Sequence, residues 1–395
     1  MRAGLSAAFP EDERMLRRRE LLAAGFGTLL ARAAWPAATA DPRGGADPLS
    51  ALAGKRPLIR RAFRPPNYET PLGDLIAPFT ANDAFFVRYH LAVIPQVNPR
   101  SWRLAVGGAS AGHALSLSLR DLRENFEPVT VAAVNQCSGN RRGLFTPRVP
   151  GVQWGNGAMG NARWSGVRLR DVLERAGVAT DALEIWFQGA DAPVLPATPS
   201  FQKSLPVERA LDANTLIALE MNGAPLPHWN GAPARLVVPG WTGTYWMKHL
   251  TSIRIEPKPL ENFWMKAAYR VPTGVFPGAR FASQENADTT PITEILVNSL
   301  ITSHLSGERV PRGRRVTVTG KAWDNGAGIE RVEYSTDGRQ SWREAVLGSD
   351  LGRFAWREFS VPLEPTQRGS LEVVLRARSL SGLEQPQKLT FNPSG

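Results

Sequence analysis

Only one cysteine, Cys137, occurs in 395 residues. An internal disulfide needs two thiols and an iron–sulfur cluster needs several, so both are excluded. No C-x-x-C-H occurs, which excludes covalent c-type haem. No run of eighteen apolar residues is present, so no segment reads as a membrane span. Runs of five or more Lys/Arg are missing, as is any aromatic-basic RNA motif, which argues against a nucleic-acid partner. Repeats of solenoid period are also absent.

The lone thiol is therefore buried filler, a nucleophile or a metal ligand. Its surroundings favour the ligand. Asn135, Gln136, Ser138, Gly139 and Asn140 flank it, and a small buried hydrophobe does not need polar neighbours. Arg141 and Arg142 follow within five residues, and nearby positive charge stabilises the thiolate that binds soft, redox-active metals.

Basic residues outnumber acidic ones by 47 to 36, a formal net charge of +11. The first forty residues hold six basic and four acidic side chains, a net of +2, so +9 remains beyond them. The arginines are scattered, which suits an anionic pocket and a docking face for an acidic partner. Those forty residues read as a leader. Arg17-Arg18-Arg19-Glu20-Leu21-Leu22 precedes a weakly apolar stretch to Leu30, and Ala38-Thr39-Ala40 offers a cleavage site. The pattern resembles a twin-arginine export signal, which implies a periplasmic protein exported folded.

With 36 glycines and 32 prolines the chain is turn-rich, which predicts many short strands. Residues 41–80 are rich in Pro and Arg and read as extended, wrapping chain. Strands are predicted over 85–90, 102–106, 129–134, 184–188 and 234–238, and helices over 119–124 and 169–176. The fold class is therefore α+β over 41–285. Beyond 285 helical periodicity fades. Short alternating runs at 295–297, 315–319, 329–334, 354–356 and 371–377 are separated by turns such as Asp337-Gly338. About seven strands predict an all-β immunoglobulin-like sandwich over 286–395.

Four blocks carry the chemistry. They are Phe86-Val87-Arg88-Tyr89-His90, Asn135 through Arg142 around Cys137, Pro227 through Arg235, and Pro239 through Lys248. In this order and spacing they resemble the sulfite oxidase family of molybdopterin enzymes, and are especially similar to exported bacterial sulfite dehydrogenases. The resemblance implies a molybdenum–molybdopterin cofactor, with Cys137 as the metal's protein ligand. It implies Arg88, Arg142 and Tyr269 around the substrate oxyanion, with Trp154 at the same pocket. Phe86, Val87, Arg88, His90, Cys137, Asp191, Asn230, Arg235, Trp246, Met247 and Lys248 would bind the cofactor. Vertebrate relatives carry histidine where Asn230 stands and arginine where Tyr245 stands. Guanidinium groups bind sulfite-like oxyanions through paired hydrogen bonds, which agrees with the arginines.

The implied activity is oxidation of sulfite to sulfate by oxygen-atom transfer, with water as the oxygen source. No haem is expected in this chain, so electrons would pass to a c-type cytochrome, possibly a stable haem subunit. The sandwich resembles the family's dimerisation domain, leaving a homodimer or a heterodimer open. Two alternatives stand beside this reading. One is a sulfoxide or nitrate reductase of the same fold. The other is a non-catalytic exported binding module, which would leave Cys137 and its arginines unexplained.

Overall fold

A computed structural model describes residues 52–276 and 281–393. The leader expected over 1–40 lies outside the described residues. Among the described residues no helix is long and apolar enough to cross a membrane.

Three small sheets build the first half. Ile59–Ala62, Asn67–Glu69 and Val87–Arg88 form an antiparallel sheet in that order. The Pro/Arg-rich stretch is therefore not merely wrapping chain. Asn67, Tyr68 and Glu69 are buried, and their backbone groups need ladder partners that an extended wrap would not supply. A second sheet orders Ala224–Pro225, Leu216–Met221, Met159–Arg168 and Pro128–Gln136, with Arg235–Val237 also pairing Leu216–Met221. The third orders Leu115–Leu117, Leu104–Gly107, Leu250–Glu256, Glu184–Gly189 and Gln202–Pro206. Leu104–Gly107 runs parallel to Leu250–Glu256 and the other pairs run antiparallel.

The helices follow local rules. Leu119–Asn125 starts at a capping box in which the Ser118 hydroxyl accepts from Asp121 N and the Asp121 carboxylate accepts from Ser118 N. Leu169–Ala176 buries Leu169, Val172, Leu173 and Ala176 on one face and ends at Gly177, whose φ of +71° suits a residue without Cβ. Both lie where the periodicity places them.

The C-terminal half has two antiparallel sheets. Asn298–Ile301, Val316–Trp323, Arg357–Leu363 and Val346–Leu347 form one, and Arg343–Glu344, Ile329–Ser335 and Val374–Ser379 form the other. Val318, Phe359 and Val361 of the first pack with Val332, Tyr334 and Ala377 of the second in one core. Two predicted strands differ. The 295–297 strand is displaced to Asn298–Ile301, and 354–356 is not a strand. Instead Phe354 accepts from Val134 N at 2.9 Å, so its backbone bonds across to the first half.

That crossing is one of many. Leu75, Val134, Met159, Ile295, Trp323 and Trp356 share a buried cluster drawn from both halves. The Trp323 indole donates to Gln136 Oε1 at 2.7 Å, and the Trp356 indole to Pro78 O at 2.7 Å. Thr289–Pro291 pairs with Arg270–Pro272. The described residues from 52 onward accordingly pack as one compact unit.

Gln136 immediately precedes Cys137, so Trp323 braces the strand end that carries the thiol. Trp323→Phe removes the indole donor together with one ring of a fully buried side chain, so the half-buried Gln136 amide oxygen loses its partner and a small cavity opens. We expect denaturant unfolding to show a loss of about 2–4 kcal/mol, from the hydrogen bond and the cavity together; an unchanged midpoint would mean that Trp323 contributes nothing to the junction.

Candidate active site

Strand Pro128–Gln136 pairs along its whole length with Met159–Arg168 and releases Cys137 at its end. The turn that follows is tied tightly. Cys137 N donates to Ala158 O at 2.9 Å, Asn140 N to Cys137 O at 2.9 Å, and Arg142 N to Gly139 O at 3.0 Å. Arg141 completes it with a left-handed φ of +71°. Its guanidinium donates to Asn156 Oδ1 and, across the junction, to Ser299 O. Cys137 is buried and unpaired.

Arg88, at the end of the third strand of the N-terminal sheet, donates to Asn67 Oδ1 at 3.1 Å and to the Tyr269 hydroxyl at 2.9 Å. Tyr269 adopts φ +60°, a strained value for a non-glycine residue, and its carbonyl accepts from Ile292 N at 2.8 Å. Burial pushes the Tyr269 phenol up and the negative potential of Cys137 adds to this, while Arg88 acts against it; the hydroxyl stays protonated. His90 stacks on Phe201 at 3.6 Å between ring centroids. Burial, with Arg88, Lys248 and Lys203 nearby, holds His90 well below the usual histidine range, so it is neutral.

Arg235 is 3% exposed and donates to Asn230 O at 2.9 Å and Trp246 O at 3.2 Å, with its guanidinium over the Trp164 ring. Burial lowers it to about 9. Lys248 donates to the Arg88 carbonyl. Burial pushes Lys248 down and Asp191 up, and their mutual attraction opposes both shifts. Asn230 accepts from Lys55 Nζ at 2.7 Å and donates to Phe86 O at 3.3 Å.

One cavity gathers Phe86, Arg88, His90, Cys137, Asp191, Asn230, Arg235, Trp246, Met247, Lys248 and Tyr269. Three expected residues stand outside its lining. Val87 packs with Leu58, Tyr68 and Tyr89 in a separate cluster. Trp154 is fully buried in the main core. Arg142 donates to Val152 O and lines a neighbouring cavity of about 260 Å³, although its charge still reaches Tyr269. Sequence reasoning passed over Asn135, Ser138, Phe201, Trp229 and Thr244, which also line the Cys137 cavity. Four of these lie inside the quoted blocks; Phe201 lies in none of them.

The donor set fits an anionic cofactor. Among the described residues Arg88 and Arg235 form no ion pair with a carboxylate, and Asp191, which attracts Lys248, is one carboxylate among three buried cations, so the set needs further counter-charge. Two donors there, Arg235 Nε and the Thr244 hydroxyl, are buried without a hydrogen-bond partner, as is one acceptor, Asn135 Oδ1, which would take an N–H or O–H of a bound group.

Burial next to the cavity also sets an acid limit. His249 is fully buried, between the Tyr89 hydroxyl at 2.7 Å and the Ala232 carbonyl at 2.5 Å, and burial lowers it to about 3. A folded value below the unfolded one means that this stability is full above the unfolded value, near 6.5, and is lost as pH falls towards about 3. We expect the unfolding free energy to drop by about 1.4 kcal/mol per pH unit from this residue below ~6.5. Urea titrations from pH 7 to 5 read the slope, and His249→Gln should flatten it by that amount; equal slopes would mean that His249 is protonated in the fold.

Comparison with known proteins places these features. Residues 90–264 match the oxidoreductase molybdopterin binding domain, and residues 289–395 match the Mo-co oxidoreductase dimerisation domain. The chain is 36% identical over 346 residues to the mitochondrial sulfite oxidase of Homo sapiens, covering 84% of this chain and 62% of that protein. It therefore spans just under two thirds of that relative's length. It is 36% identical over 359 residues to the sulfite oxidase of Gallus gallus, covering 87% of this chain and 76% of that protein. The fold is similar to that of the sulfane dehydrogenase SoxCD from Paracoccus pantotrophus, with a TM-score of 0.71 at 24% identity over 95% of this chain and 90% of the other. With both domain models matched in order and relatives at 36% identity covering most of the chain, the chain belongs to the sulfite oxidase family of molybdopterin-binding oxidoreductases.

Proposed function

We propose that this chain oxidises sulfite to sulfate at a molybdenum–molybdopterin centre held by Cys137. The observation that carries this reading is the convergence of Cys137, the Arg88–Tyr269 pair and the buried cations Arg235 and Lys248 on one cavity. When bound, the cofactor would supply oxygen-atom transfer and accept two electrons.

The chain's own residues would do the rest. Arg88 presents N–H donors and fixed charge to a compact oxyanion, which favours sulfite over a bulky neutral sulfoxide. Tyr269, kept protonated, donates a hydrogen bond without adding charge. Arg142 adds longer-range positive potential from the adjoining cavity. Arg235 and Lys248 would offset the cofactor's anionic groups, and Asp191, Asn230, Trp246 and Met247 would shape its bed. Neutral His90, stacked on Phe201, would orient it without competing for the anion. Trp154 would support the Cys137 loop, since Trp154 O accepts from Gly143 N at 2.8 Å. Val87 would act by placing its neighbours Phe86 and Arg88.

We also propose export to the periplasm through the leader over 1–40, with electrons leaving singly to a c-type cytochrome that the basic surface would steer. The two-sheet C-terminal half would serve as an immunoglobulin-like dimerisation domain.

Elemental analysis of protein from a host competent for molybdopterin synthesis, with sulfite-dependent ferricyanide reduction on the same sample, tests the reading. We expect about one molybdenum per chain with turnover. Metal without sulfite turnover would reject the substrate, and no metal in folded protein would reject the enzyme. Cys137→Ser should keep the fold and lose turnover by orders of magnitude. Arg88→Met should raise the sulfite KM by about ten- to a hundredfold, the scale of a lost charge-assisted hydrogen bond. An unchanged KM would move the substrate elsewhere.

A further inference from the structure

Behind the Tyr269 wall of the cavity lies a buried cation with no part in the function proposed above. Lys203, on strand Gln202–Pro206, is 1% exposed. Its Nζ donates to Trp264 O at 2.8 Å and lies 4.8 Å and 5.6 Å from the ring centroids of Tyr245 and Tyr269. An ammonium has three donors. Among the described residues one meets a protein acceptor and none meets a carboxylate; the two ring faces supply the remaining attraction.

The neighbouring charges are committed elsewhere. Glu184 accepts from the Ser283 hydroxyl, from Gln284 Nε2 at 2.9 Å and from Leu260 N at 2.9 Å. Arg270 donates to Met265 O, Gln284 O and Thr289 O. Lys203 therefore lies one layer behind the pocket with no ion pair to a carboxylate among the described residues.

Two of its three attachments lie on a single segment. Trp264 and Tyr269 bracket the turn that ends in the left-handed Tyr269, whose hydroxyl meets Arg88. Two residues before Lys203 on the same stretch, Phe201 supports His90. The start of this strand thus backs two faces of the cavity. We propose that Lys203 is a positioning residue of the oxyanion pocket, holding the Trp264–Tyr269 turn in place and supplying positive potential behind Tyr269 that strengthens binding of a compact dianion. This rests on reading the cavity as an oxyanion site.

The charge is conditional. Burial lowers Lys203 to about 7; Arg270 pushes the same way and Glu184 opposes. Of the other titratable groups facing it, Tyr245 and Tyr269 are pushed up and His90 down, so all three stay neutral near pH 7. Lys203 is charged below its own value and neutral above it, so anion affinity should fall as pH rises through that range.

Sulfate, a dianion throughout this range, is the probe that separates the effect from titration of sulfite. Calorimetric sulfate binding is measured from pH 5.5 to 8.5 on the full-length loaded protein and on Lys203→Arg, Lys203→Met and Arg88→Met. Wild type should lose about tenfold in affinity across the range, the scale of one unit charge acting through a partly screened wall. Lys203→Arg should stay tight to the alkaline end, and Lys203→Met should be weak and flat. A wild-type profile in folded Lys203→Met, or a pH-dependent loss kept in Lys203→Arg, overturns the proposal; if Lys203→Met does not fold, the Lys203→Arg profile decides alone. Sulfate binding that Arg88→Met abolishes but Lys203→Met leaves unchanged rejects Lys203 alone. Sulfate binding absent from wild type, or indifferent to Arg88→Met, rejects the oxyanion reading itself.

Discussion

Burying more positive charge than the nearby carboxylates can offset is the constraint around which this molecule is arranged. Arg88, Arg235, Lys248 and Lys203 sit in or just behind the cavity beside Cys137, and none forms an ion pair with a carboxylate among the described residues. Each pays a desolvation penalty that backbone carbonyls and aromatic faces only partly offset. A fold keeps such a set when a ligand supplies the missing negative charge. An anionic cofactor and an oxyanion substrate would do so together, which ties the proposed chemistry to the electrostatics of the protein alone.

The rest of the structure holds those charges where they are costly. Strand Pro128–Gln136 fixes one end of the Cys137 turn, and the C-terminal sheets grip it on both sides, through Trp323 on Gln136 and through Ser299 on Arg141. Buried Glu69 secures the facing loop by accepting from Gly155 N and Gly157 N at 2.8 Å each while pairing with Arg61 at 2.6 Å. The C-terminal half is thus part of the scaffold of the site, whatever it also does in assembly.

Much of the lining of the candidate cavity was legible because it is drawn largely from four short blocks. Cys137, Arg88, His90, Arg235 and Lys248 could be named from those blocks, and they line one cavity. Lys203 could not be singled out: a lysine in a polar run reads as a solvated surface residue until the paired strand Glu184–Gly189 and the Trp264 turn close over it. Arg142 and Trp154 show the converse. Their motif neighbours point into the Cys137 cavity, yet the tight turn at Arg141 sends Arg142 to the adjoining one, and Trp154 is packed away in the core.

What the sequence determined by itself was local and covalent. It left one thiol and so no internal disulfide, placed two helices by their periodicity, marked the C-terminal β-rich part by its alternation, and kept the candidate-site blocks in order. What only the tertiary structure decided was which charges meet. Tyr269 reaches Arg88 across 181 positions of sequence, and Trp323 reaches Gln136 across 187. No local pattern encodes such separations, because the contacts depend on how whole sheets pack. Burial then changes the chemistry of the side chains that meet there. That is why histidines, a lysine and an arginine that look ordinary in the chain become neutral or weakly held cations around one thiol.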